Sequence, residues 1–306
     1  MTPQTRKVLF FIFKIISSKS QFFFWLFVRF LSAFFPLITI YQFSAVIGLL
    51  EQKSDYHTIL IAIILIFVVR LIDNYLRLKS VTRLENIISN IAFDIHNYFL
   101  SDLKTETKED RHAAIQAVRN FSEASSMTLN LIKQPGVDSL VSFVFIPVAL
   151  LFLDIRVFVL TISYLLIYSF IDLFTTQHYA HLKDIQNTKT ETYYAKLQES
   201  NDFDLEQISY NRHFNRLAKW GFTEWFALQN TAIIFYSLIL FILVPEVLKG
   251  IMDISTVVLI MGYVAQTQVL LNSISQIKDS LTDMLIGLQH LANNHSVSAI
   301  NLDDLI

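Results

Sequence analysis

Residues 249–290 read KGIMDISTVVLIMGYVAQTQVLLNSISQIKDSLTDMLIGLQH. The stretch opens on a short turn (KGIMD), passes through an apolar run (ISTVVLIMGYVAQTQVLL) and continues as a polar sequence at helical spacing. At 100° per residue, Ser255, Gly262, Gln266, Ser273, Gln276, Ser280, Asp283 and Gly287 fall within about 100° of one another, so a single helix carries a polar and small-residue stripe along its length. Val258 and Val269 interrupt it. Lipid offers such a stripe nothing, which leaves two uses: small residues that let helices pack closely, or a wet pathway bordered by the polar ones. We expect the pathway, lined by Gln266, Ser273 and Gln276.

The 306 residues are 53% hydrophobic and 16% charged, with 27 Phe, and their mean hydropathy is +0.47. That exceeds what a soluble core requires and points to an integral membrane protein. The absence of Cys excludes disulfides and thiolate metal sites. With only six Gly and five Pro and no low-complexity linker, the chain reads as one all-α unit.

Working outward, six apolar segments are long enough to cross a hydrocarbon core of about 30 Å: 21–50, 57–76, 136–153, 156–176, 222–244 and 254–272. Nineteen of the 24 Lys and Arg fall at the amino end, after the second span, after the fourth, or at Lys278. Lys53, Arg156 and Lys249 lie on the opposite side, so both termini are expected in the cytoplasm, in a bacterial inner membrane. From Thr58 to about Ser101 no Gly or Pro interrupts the helical spacing, which predicts a helix of about 66 Å, twice the hydrocarbon thickness. The fourth span runs on in the same way to about Ser200, so tall cytoplasmic extensions are expected. Residues 1–20, where Arg6 and Lys7 precede VLFFIF, suggest an amphipathic elbow helix in the inner interface. Residues 293–306 form a short cytoplasmic tail.

Within the spans, Thr161, Tyr164, Tyr168, Asp172, Thr175 and Tyr179 share one face, a second candidate lining for an amphipathic solute. The alternative is that each hydroxyl bonds a neighbouring helix. Arg29, Arg70, Asp73 and Asp172 are intramembrane charges in the cytoplasmic half, with Arg70, Asp73 and Arg77 spaced to neutralise one another. No Asp, Glu or His lies near a midplane, which weighs against a proton relay through the core. His178, His181 and Asp184 resemble half a metal site but read better as a solvated face, so no metal is expected. There is no P-loop, G-x-S-x-G or H-E-x-x-H, hence no enzyme, no cofactor and no nucleic-acid site in this chain.

Three stretches give the layout a family likeness: IAFDIHNYFLSDL with AAIQAVRNFSEASSMTLNLI (91–103, 113–132), NTKTETYYAKLQES (187–200) and residues 250–291. Over about residues 20–292 the chain resembles the six-helix transmembrane domain of ABC exporters of the type IV fold. The likeness implies a domain-swapped homodimer, or a pairing with a related half-transporter, around a cavity lined by the fourth and sixth spans. It also implies coupling helices near 103–112 and 201–212, where Glu109, Asp110, Asp204, Glu206 and Tyr210 would meet an ATPase. No ATPase sequence is present, so ATP and Mg would act through a separate subunit. The expected function is the permease subunit of an ABC-type transporter moving an amphipathic small molecule or peptide. Two alternatives stand: a proton-coupled peptide transporter using Asp73, Asp172 and Glu224, and a non-transporting regulator or immunity protein.

Overall fold

The computed structural model describes residues 10–14, 18–100, 108–199 and 204–293. These residues are helical, and no strand occurs among them. In order they form α1 (Lys19–Ser32), α2 (Phe35–Glu51), α3 (Tyr56–Leu100), α4 (Lys108–Leu131), α5 (Val137–Leu153), α6 (Ile155–Glu199), α7 (Asp204–Leu248) and α8 (Ile254–Asn293). With α1–α2 and α4–α5 each taken as one rod, six helices are long and apolar enough to cross a membrane.

Three breaks follow from local chemistry. Pro36 in the first turn of α2 ends the α1 hydrogen-bond ladder and divides the first span at residues 33–34. Pro135 has no N–H to donate, and α4 passes into α5 through a π-helical turn, Ile132–Gly136. The α7–α8 turn closes on Gly250 at φ +69, where the amide of Gly250 donates to Val247 O (2.9 Å) and that of Ile251 to Glu246 O (2.9 Å). A left-handed residue with this bond pair is a helix stop that favours Gly.

The outer connections are held by side chains on amide groups. Glu51, at the end of α2, accepts from the amides of Ile254 (3.0 Å) and Ser255 (3.1 Å) and so caps α8. Asp154 accepts from the amide of Arg156 at 2.8 Å and caps α6, while Arg156 Nη2 reaches across to Glu246 at 2.7 Å. Burial alone would raise the Asp154 carboxyl, but the Arg156 side-chain bond and the two amide bonds outweigh it and hold the group below its ordinary range.

The core is layered along the long axis. An outer cluster joins α2, α5, α7 and α8 around Leu37, Ile146, Ile239 and Ile260. An inner cluster joins α3, α4 and α8 around Ile88, Ile91, Ile95, Phe121 and Met284. Residues 10–14 form a helical turn whose Phe11 and Ile12 are buried against the Phe99 end of α3, with Phe11 5.3 Å from Tyr98 and 5.9 Å from Phe99. Phe99 is about 64 Å along α3 from Tyr56, about twice the hydrocarbon thickness, and the two apolar side chains gain by burial in that gap. Residues 1–9 and 15–17 of the expected elbow, and the tail 294–306, lie outside the described residues.

Candidate functional site

Counting helical rise from the outer ends, Asp73, Arg77, Asp138 and Asp172 lie about 23–32 Å in, and Glu224 and Lys278 about 36 Å in. They form a charged belt at the inner edge of the hydrocarbon. On one side of the belt, Arg29 of α1 is fully buried and ion-paired with Asp138 of α5. Its Nη2 also donates to Gln134 O (3.2 Å), a carbonyl in the π turn. Arg77 bridges Asp138 (3.2 Å) and Asp73 (3.6 Å), and Arg70 approaches Asp73 at 3.5 Å. Three guanidinium groups against two carboxylates thus tie α1, α3 and α5 together. A cleft of about 510 Å³ opens beside them, bordered by Arg70, Asp73, Asn74, Arg77 and Asp138 and, from α8, by Gln266 and Ser273.

The α8 stripe borders cavities only in its middle. Toward the outer end, a Cβ on Gly262 would lie 2.4 Å from Ile40 Cγ2, and Ser44 donates to Ser255 O at 2.7 Å. Toward the inner end, Ser280 meets Thr128 at 2.9 Å and Gly287 lies against the Phe121 backbone. Close packing is what the small residues at both ends do. Ser273 itself is buried, its hydroxyl donating to Val269 O (2.8 Å).

On the other side of the belt, α6 runs beside α8 of the same chain. Tyr168 donates to Asn272 (3.3 Å), Ser275 donates to Asp172 (2.6 Å), Lys183 pairs with Asp283 (3.2 Å) and Asp184 with His290 (3.1 Å). Lys278 forms an ion pair with Asp172, and Thr175 donates to Glu224 of α7. The ring of Tyr164 is buried against Phe235 and borders neither the cleft nor the smaller cavity. A second cavity, of about 200 Å³, lies between α6, α7 and α8. Tyr168, Tyr179, Glu224, Trp225, Gln276 and Asp279 are among the residues that border it.

No family model matches this chain, and no curated protein matches it in sequence.

The residues expected to meet an ATPase fall at the ends of the long helices farthest from the outer turns. Expected coupling segments 103–112 and 201–212 lie partly outside the described residues; what is described, from 108 and from 204, is the first turns of α4 and α7, with no separate short helix there. The reason is local: no Gly or Pro interrupts Asp204–Trp220, so the helix continues. Glu206 accepts from Lys196 at 2.6 Å, a bond that holds its carboxyl below the usual range, and Tyr210 stacks on Tyr193 at 5.5 Å. Of the suspected metal trio, His178 rests on Trp220 (4.3 Å) and Asp184 pairs with His290, while His181 points outward, so the three do not converge. Sequence reasoning passed over Asp138 and Asp279. The available signal for Asp138 was Arg29, whose burial demanded a carboxylate; Asp279 follows Lys278 on a helix turned inward only by tertiary packing.

Proposed function

We propose that the chain is the membrane subunit of a transporter of ABC type, moving an amphipathic small molecule or peptide, with ATP hydrolysis supplied by a separate subunit. The observation that carries this reading is the pair of cavities bordered by charged side chains and set between helices that run far beyond the length a bilayer needs. Helices α3, α6 and α7 each have 45 residues, about 67 Å, roughly twice what a bilayer needs. Ends that reach so far from the membrane suit a partner that drives motion from the cytoplasm. A second copy of the chain would complete the pathway, and both termini would be cytoplasmic.

The test is purification from gently solubilised native membranes. A nucleotide-binding subunit retained by the wild-type chain, and lost with its ATPase stimulation when 201–212 is replaced by a Gly-Ser linker, supports the proposal. Full transport by the purified chain in liposomes without any partner overturns the ATPase part of it. The Asp172, Glu224 and Asp279 cluster favours one second reading, transport driven by a proton gradient. Uptake that requires a pH gradient and vanishes in Asp172→Asn would replace the first reading with this one.

A further inference from the structure

We propose that the smaller cavity, between α6, α7 and α8, is a binding site for an organic cation, an ammonium group carrying a short aromatic or apolar substituent. Its volume is about 200 Å³, enough for a molecule the size of benzyltrimethylammonium. Tyr168, Tyr179 and Trp225 supply aromatic walls, and Glu224 and Asp279 supply the charge.

The charges around the cavity do not balance. Lys278 is committed to Asp172, and Lys183 to Asp283. Glu224 is only 7% exposed, its one hydrogen bond comes from the Thr175 hydroxyl, and among the described residues no cation lies within ion-pair distance of it. Asp279 keeps a buried Oδ1 with no partner. Two carboxylates therefore face one cavity without an ion-pair partner of their own, the neighbouring Lys278 being held by Asp172. Carboxylates in this position are strongly disfavoured until a positive charge joins them. Aromatic faces attract cations most when water is excluded, so the walls and the carboxylates ask for the same ligand. A metal ion is the poorer fit: among the described residues no three His, Asp or Glu side chains converge to hold one. The cavity lies at the inner edge of the hydrocarbon, where an amphipathic cation entering from the cytoplasm or the inner leaflet can keep its apolar part out of water.

This deepens the transport reading by naming a class of solute, and rests on it only for the step from binding to movement. The test uses the full chain in lipid nanodiscs, with benzyltrimethylammonium as probe, neopentylbenzene as its uncharged counterpart of the same shape, and equilibrium dialysis as readout. Saturable binding of the cation is expected, at least about tenfold tighter than that of the neutral compound. Glu224→Gln and Asp279→Asn are each expected to weaken it by about tenfold or more, while Lys278→Gln, which removes a positive charge beside the cavity, tightens it. Equal affinity for the two compounds, no saturation up to about 10 mM, or indifference to both carboxylate variants overturns the proposal. Should the variants fail to fold, the charged and neutral compounds on the wild-type chain decide the matter. A chain that binds the cation but moves nothing in proteoliposomes sinks the transport reading alone; one that moves another solute without binding the cation sinks this site alone.

Discussion

Arg29 shows how much one buried charge dictates. Alone in an apolar helix it would be costly to insert, and the structure meets that cost with Asp138, 109 positions along the chain, and with a carbonyl of the π turn. Removing one partner strands the other. Asp138→Asn is expected to lower stability by about 3–5 kcal/mol, Arg29→Met by a similar amount, and the double change Arg29→Met with Asp138→Leu by much less than either sum. Unfolding of the three variants in mixed micelles measures this; additive losses would show that the ion pair is not what joins α1 to α5. At the outer surface, Asp154→Ala should cost about 1 kcal/mol by uncapping α6. Because the folded Asp154 carboxyl is depressed, its contribution is complete above the unfolded value and is lost as pH falls through the folded one. The difference in melting temperature between wild type and Asp154→Asn should therefore be constant near neutral pH and shrink as pH falls below the ordinary carboxylate range, and a gap unchanged down to strongly acidic pH would refute the assignment.

Among the helices, α8 packs most extensively against α2, α4 and α5, and its glycines mark where. Gly262 lies under Ile40 of α2 and Gly287 under the Phe121 backbone of α4, whereas Gly221 in α7 has nothing within 4 Å of its would-be Cβ. Gly262→Ala is expected to destabilise by about 1–3 kcal/mol through overpacking, with part of the loss recovered by Ile40→Ala. Gly221→Ala should be neutral or stabilise by about 0.5–1 kcal/mol, since a helix interior favours Ala. Thermal unfolding of these three variants separates close packing from helix propensity, and a Gly221→Ala loss as large as that of Gly262→Ala would contradict the packing. The long helices α3 and α6 were legible from their uninterrupted spacing, and both are helical up to the last described residue before the expected ends. What periodicity could not tell was which part of the α8 stripe is dry, because a Ser or Gly at a given angle looks the same whether it meets water or a neighbouring backbone.

As a whole molecule the chain leaves large apolar side chains exposed on the far ends of its long helices as well as on the spans. Phe93 and Met127 border a groove of about 670 Å³ between α3 and α4 that runs from the level of Pro135 toward those far ends. A second copy covering that groove fits the proposed assembly. Mass measurement in nanodiscs is expected to find a dimer, and Phe93→Glu with Met127→Glu to shift it toward a monomer without unfolding. A monomer at every concentration would remove the shared pathway from the proposal.

By itself the sequence determined that this is a membrane protein of six apolar spans, that its helices outrun the bilayer, and which side carries the basic residues, since hydropathy, helical spacing and Lys and Arg placement are local quantities summed along the chain. Only the tertiary structure decided which charges neutralise each other and which are left facing a cavity. Arg29 with Asp138 and Asp172 with Lys278 are more than a hundred residues apart, and Glu224 and Asp279 come together only when α7 and α8 pack against α6. An ion pair depends on distance in space, and a one-dimensional pattern holds no record of it.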